Sequence, residues 1–198
     1  MNDARLERVL ALIDAANAKD PNIDVSEGAR QPRELVYGRR MSAWLDQLSP
    51  GPSALLQIAA RGQHIRRWEV PRDSYPATRE GYLKWRSYLY GFHGEHVAAL
   101  MVQAGYEDAA VQRVKTIIQK RGVKTDPEVQ AIEDVACLVF LEHYFENFAV
   151  TQDTDKLIAI VQKTWKKMSD RGHELALTLP LPLPEPLQGI VAQALEAG

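Results

Sequence analysis

The chain has 198 residues, a hydrophobic fraction of 45%, a charged fraction of 25% and a formal net charge of -2. That length can bury a core without disulfides or a structural metal cluster, and the composition excludes long disorder. So even a charge balance gives no global attraction to nucleic acid or an anionic membrane, and any anion-binding argument has to rest on local clusters.

The lone cysteine, Cys137, cannot form an intramolecular disulfide or a cysteine-rich zinc site. Among Val135, Ala136, Leu138 and Val139 it reads as a buried, inert thiol in a reducing compartment. Met1-Asn2-Asp3-Ala4-Arg5 lacks the basic start and apolar stretch of a secretory signal, and no apolar run is long enough to span a bilayer. The expectation is a cytoplasmic protein with no membrane partner.

Leu6, Val9, Leu10, Leu12 and Ile13 recur at three- and four-residue intervals, which predicts a first helix stopping near Asp20-Pro21. The polar stretch 22–31 has no period and reads as a loop. Pro32 then opens a second helix carrying Leu35, Val36, Met41, Trp44, Leu45 and Leu48. After Ser49-Pro50-Gly51-Pro52, Ser53 can cap a third helix running through Leu55, Leu56, Ile58 and Ala59 towards His64. A long fourth segment starts at Thr78 or Arg79, with a bend or break expected at Gly91 and Gly94. Val111, Val114, Ile117 and Ile118 form a fifth helix that stops at Gly122. Asp126-Pro127 opens a helix so apolar, through Phe148, that it should be buried on most sides. Helices from Thr154 to about Met168 and from Pro186 to Ala197 follow. Between them, the proline-rich run Leu179-Pro180-Leu181-Pro182-Leu183-Pro184 reads as an extended strap. The only strand candidate is Ala176 to Leu179. The chain therefore reads as all-α: one helical domain over 1–178, with the strap and C-terminal helix of 179–198 packed on it.

Arg61-Gly62-Gln63-His64-Ile65-Arg66-Arg67-Trp68 is the densest polar cluster. If the third helix continues to Trp68, its period puts Arg61, His64 and Trp68 on one face and Gln63 and Arg67 on the next. Guanidinium groups grip phosphate or carboxylate oxygens, and a nearby imidazole can move a proton or bind a metal. Gly62 permits close backbone approach. The plainer alternative is a basic helix end complementing its own dipole, with Trp68 in the core.

Two imidazoles in Phe92-His93-Gly94-Glu95-His96 can face one metal, although a solvated turn explains them more simply. Glu133-Asp134 enters the apolar run of the central helix, where a buried carboxylate needs a cation or a metal. Asp134 can meet an imidazole or arginine of the cluster, and a structural salt bridge to Arg61 or Arg66 is the alternative. Glu34, Tyr37, Arg39 and Arg40 form a further polar group, read as an exposed helix face unless Glu34 adds a ligand. Lys163-Thr164-Trp165-Lys166-Lys167-Met168 pairs lysines with an indole, as RNA binders do. The overall charge instead favours a solvated helix end with Trp165 packed inward, so RNA is not the expected partner. Hydrolase elbows, Walker loops and dinucleotide fingerprints are absent.

Several blocks resemble an uncharacterised domain-of-unknown-function family. They include Ile13-Asp14-Ala15-Ala16-Asn17, Glu34-Leu35-Val36-Tyr37-Gly38, the 60–68 cluster, Glu133-Asp134-Val135-Ala136 and Lys163-Thr164-Trp165-Lys166-Lys167-Met168. A more distant similarity is to HD-domain metal-dependent phosphohydrolases, helical enzymes that gather His, His-Asp and Asp ligands from separate helices. Residues 59–65 resemble the helix end carrying their dyad, with Gln63-His64 in its place, and residues 131–138 resemble the segment carrying their final Asp, here Asp134. Glu34 or Tyr37 stands at their first-helix His.

That resemblance implies an HD-like helical bundle and a divalent metal held by some of His64, His93, His96, Asp134 and Glu34. His64, Asp134 and Arg61 would be catalytic, with Arg61, Gln63, Arg66, Arg67 and Trp68 binding a phosphorylated small molecule or nucleotide. A non-catalytic, degenerate HD-like module that keeps only an anion pocket is the alternative.

Overall fold

The computed structural model describes residues 4–26, 28–150, 152–178 and 185–196. Helix α1 (Ala4–Asn17) leads into a two-stranded antiparallel hairpin of β1 (Ile23–Ser26) and β2 (Ala29–Pro32), and then into α2 (Arg33–Leu48). Helix α3 (Ala54–Gly62) is followed by two short 3-10 turns, Arg67–Glu69 and Arg72–Ser74. The remaining helices are α4 (Arg79–Gln103), α5 (Asp108–Ile118), α6 (Pro127–His143), α7 (Phe145–Ala149), α8 (Thr154–Trp165), α9 (Asp170–Thr178) and α10 (Glu185–Glu196). The architecture is all-α, with the hairpin as its only sheet among the described residues.

The caps that the sequence offered are used. Ser53 accepts from Leu56 N–H, and Asp126 accepts from Glu128 and Val129 N–H with Pro127 in the first turn. Helix α6 is central: Ile132, Val135, Leu138 and Val139 are fully buried, and the helix packs on α2, α3, α5 and α9. A smaller apolar cluster of Phe145, Leu157 and Val161 takes in Ile190 and Val191, which seats α10 on α8. The proline-rich run lies outside the described residues.

Four local expectations are corrected. Residues 22–31 form a hairpin rather than a loop, turning at Gly28 with φ +77° and paired from Ile23↔Pro32 to Ser26↔Ala29. The alternation Ile23-Asp24-Val25-Ser26 is only four residues long, β2 does not continue it, and neither Ile23 nor Val25 is buried. Ala176, expected in a strand, is buried in α9, whose first turn is held by the Ser169 hydroxyl accepting from Gly172 N–H. Helix α4 runs unbroken through Gly91 and Gly94. The apolar helix breaks at Tyr144, with φ -123°, so α7 is a separate turn.

The third helix does not continue to Trp68. It ends at Gly62, and the chain turns through Gln63–Ile65 to Arg66, which adopts a left-handed φ of 54° while its N–H donates to Asn17 Oδ1. Gly62 explains where the turn sits. A Cβ there would lie 2.4 Å from Val97 Cγ2 on α4, so the bare backbone lets the end of α3 press against α4. Gly62→Ala is expected to lower stability by about 1–3 kcal/mol through overpacking, read as a lower urea midpoint.

Candidate functional site

Because α3 stops at Gly62, His64 and Arg67 are delivered between α2 and α4 rather than along a helix face. His64 lies parallel to the Tyr37 ring of α2, with centroids 3.8 Å apart and planes at 8°. Arg67 Nη1 is 3.0 Å from His64 Nδ1 and 2.9 Å from Nε2. An atom so close to both nitrogens would overlap Cε1 if it lay in the ring plane. The guanidinium therefore lies over the ring face opposite Tyr37, and the imidazole is clamped between a phenol and a cation. Arg67 also sits 5.0 Å from the centre of the Trp85 ring.

From α4, His93 projects to within 5.8 Å of His64, centroid to centroid, and its Nδ1 meets the Ile65 carbonyl at 2.8 Å. That bond places the proton on Nδ1 and leaves Nε2, which is buried, without a hydrogen-bond partner. Burial pushes the His93 imidazole down to about 3. Burial first, and then the Arg67 charge, hold His64 well below the ordinary histidine value. Both rings are accordingly neutral near pH 7.

Glu34, in the first turn of α2, is 8% exposed, and its Oε2 accepts no hydrogen bond although His64 Nδ1 lies 3.4 Å away. Burial raises its carboxyl to about 7, opposed in part by Arg67. Glu34 and Tyr37 were expected on an exposed face. They are buried because the hairpin and α6 cover this part of α2.

These side chains open onto a cavity of about 310 Å³ also lined by Trp85, Arg86, Lys120, Glu133 and Lys167. Glu133 carries the charge pattern: Lys120 Nζ is 2.7 Å from its Oε2 and Lys167 Nζ is 3.7 Å from its Oε1. This pairing holds the carboxyl below its usual value even though burial acts to raise it. Two ammonium and two guanidinium groups thus line a cavity that contains one carboxylate.

Other sequence-selected residues lie elsewhere. Asp134, proposed as catalytic acid and metal ligand, accepts from the Ser169 hydroxyl at 2.6 Å, Ser169 N–H at 2.8 Å and Gln130 Nε2 at 2.9 Å, so it anchors the start of α9. Arg61 points back to α1 and α2, bonding both Asp14 oxygens at 3.1 Å and Ser42 Oγ at 2.9 Å. Arg66 pairs with Glu69 at 2.7 Å. Trp68 lies in the 3-10 turn and does not line the cavity. His96 bonds the Phe92 carbonyl of its own helix at 2.8 Å. Gln63 does line the cavity; its Nε2 donates to Ile118 O at 3.3 Å and its buried Oε1 is unpartnered.

The sequence reading did not single out Arg86 or Lys120, and of the Glu133-Asp134 pair it chose Asp134, whereas Glu133 is the one that lines the cavity. A buried acid calls for a cation, and Lys120, with φ 55° just past α5, supplies it. Of the lysines around Trp165, Lys167 turns to the cavity, while the indole stacks on His173 at 3.9 Å.

A family model for a domain of unknown function, DUF4202, matches residues 7–191. The chain belongs to the DUF4202 family. No curated protein and no solved structure matches it. No helix among the described residues is long and apolar enough to cross a membrane.

Asp134→Ala removes two hydrogen bonds from Ser169 at the start of α9 and one from Gln130 of α6, and is expected to cost about 1–3 kcal/mol in urea denaturation. Glu34 gives a pH signature. Its folded-state value of about 7 exceeds the ordinary value of 4.5, so the folded chain retains a proton that the unfolded chain releases. The resulting stabilisation is complete below pH 4.5 and disappears as pH rises through 7. Relative to the parent chain, Glu34→Gln should therefore gain on the order of 2 kcal/mol between pH 4.5 and 8. Urea midpoints that keep a constant offset across that range would contradict the assignment.

Proposed function

We propose that the cleft binds a phosphorylated small molecule or nucleotide, with its phosphate among Lys120, Lys167, Arg67 and Arg86. The observation that carries this reading is the unbalanced charge around Glu133, where four cationic side chains share a cavity with one carboxylate. Cations held together in a poorly solvated cavity repel one another, and an entering anion relieves that repulsion. The Arg67 guanidinium, fixed against Trp85 and His64, is already placed to grip phosphate oxygens.

One observation favours the second reading, an HD-like metal-dependent phosphohydrolase. A histidine that donates Nδ1–H to a backbone carbonyl and offers a bare Nε2 is oriented as metal ligands are, and His93 has this arrangement. The rest of the donor set does not fit a metal. Asp134 is committed to Ser169, Glu133 is neutralised by lysines, and no three His, Cys, Asp or Glu among the described residues are arranged to hold an ion. The binding-module reading is therefore preferred.

Calorimetric titration with pyrophosphate tests it. Binding should weaken with added salt, survive a chelator, and fall about tenfold or more in Arg67→Ala and Lys120→Ala. Stoichiometric manganese, iron, nickel or zinc in the purified protein, together with phosphatase turnover abolished by His64→Ala, would instead establish the hydrolase. Absence of any pyrophosphate binding would remove both readings.

A further inference from the structure

We infer that Glu34 selects the ligand's unphosphorylated end, and that this end is a neutral planar base presenting two adjacent N–H donors, as guanine does. The inference rests on the phosphate reading above and adds what the rest of the ligand must be.

The cavity holding the cations adjoins a second one, and the inferred ligand spans both as two lobes. This second cavity, of about 350 Å³, shares Tyr37, His64, Arg67, Ala136 and Phe140 with the first and adds Glu34, Arg33 and Tyr144. The shared residues form a waist. Its shape is preformed, because His64 is clamped between Tyr37 and Arg67. A phosphate alone fills neither lobe, whereas a phosphorylated nucleoside reaches from one to the other.

The two lobes ask for different chemistry. The first has Lys120, Lys167 and Arg86; the second is walled by the flat rings of Tyr37, Phe140 and Tyr144, which suit a planar heterocycle. Glu34 lines that second lobe, and its buried Oε2 accepts no hydrogen bond, its nearest nitrogen being His64 Nδ1 at 3.4 Å, so a ligand can supply the missing donor. A cationic amine is disfavoured, because Arg33 and Arg67 line the same lobe. A neutral donor satisfies the oxygen without that repulsion.

An ionised carboxylate only accepts hydrogen bonds, and its two oxygens match a pair of neighbouring donors. Guanine supplies that pair from its ring N1–H and exocyclic amine. Hypoxanthine keeps only the ring donor. Adenine sets an acceptor nitrogen against the carboxylate, leaving a buried lone pair opposed to a lone pair. Sites built around such a hydrogen bond reject analogues that lack it far more strongly than apolar pockets reject a missing methylene.

Calorimetric titration with GMP, IMP, AMP and inorganic phosphate at pH 8, where Glu34 with its value of about 7 is ionised, tests the inference. GMP should bind about tenfold more tightly than IMP, AMP should be weakest, and Glu34→Gln should bring GMP and IMP to within about twofold of each other. Equal affinities for the three nucleotides in the parent chain, or a GMP preference that persists in Glu34→Gln, overturns the role of Glu34. The nucleotide series on the parent chain decides the matter even if the variant fails to fold. Inorganic phosphate separates the two levels of the argument: if it binds while the nucleotides do not discriminate, only the base assignment fails. If neither phosphate nor any nucleotide binds, the phosphate reading fails with it.

Discussion

The end of α3 can touch α4 only because Gly62 carries no side chain; a Cβ would meet Val97 Cγ2 at 2.4 Å. That contact decides where the helix stops and where the chain reverses. The reversal is pinned on its far side by Asn17, whose amide oxygen accepts from Arg66 N–H and whose Nδ2 donates to Glu34 O at 3.3 Å. One buried amide therefore ties the turn after α3 to the first turn of α2. His64 and Glu34 are neighbours because of this link, since 30 residues separate them in the chain. Asp20 adds a second tie by accepting from Glu34 N–H at 3.0 Å. The backbone around Glu34 is thus fully bonded while its side-chain Oε2 is left without a partner.

Electrostatics then distinguishes two kinds of buried acid on α6. Asp134 is surrounded by neutral donors, a hydroxyl, an amide and a backbone N–H, which solvate it completely within the protein. Its bonding serves the fold. Glu133 is instead bonded to lysine ammonium groups, which bring more positive charge than the carboxylate can cancel. Adjacent positions on α6 thus hold a satisfied acid and an over-compensated one.

Much of the fold was legible in the sequence because its signals are local. Ser53 and Asp126 cap helices where they stand, and the apolar density of 132–141 marks α6 as central. The hairpin escaped notice because its one alternating stretch, Ile23-Asp24-Val25-Ser26, is four residues long and β2, Ala29-Arg30-Gln31-Pro32, has no apolar partner pattern to match it. The site was half legible. The cluster around His64 was visible as composition, but its helical projection failed at Arg66, whose left-handed conformation no residue-type rule required. That single turn sends Arg67 to His64, whereas Arg61, still within α3, pairs with Asp14. The choice between Glu133 and Asp134 depended on whether Lys120 or Ser169 stood opposite, which is a tertiary fact.

The imidazoles that drew attention to this region contribute least to its charge. Burial and Arg67 keep His64 neutral, and burial does the same for His93. In the sandwich with Tyr37 and Arg67, His64 acts as a flat spacer that fixes the height of the guanidinium above α2. A protonated imidazole there would place two cations in van der Waals contact, so the stacking and the neutral state require each other. His64 is thereby better suited to shaping the waist of the cleft than to supplying its charge, which falls to Lys120, Lys167, Arg67 and Arg86. In the proposed anion site the charge is carried by lysine and arginine side chains, and Glu34 is the one acidic residue among those lining the second lobe.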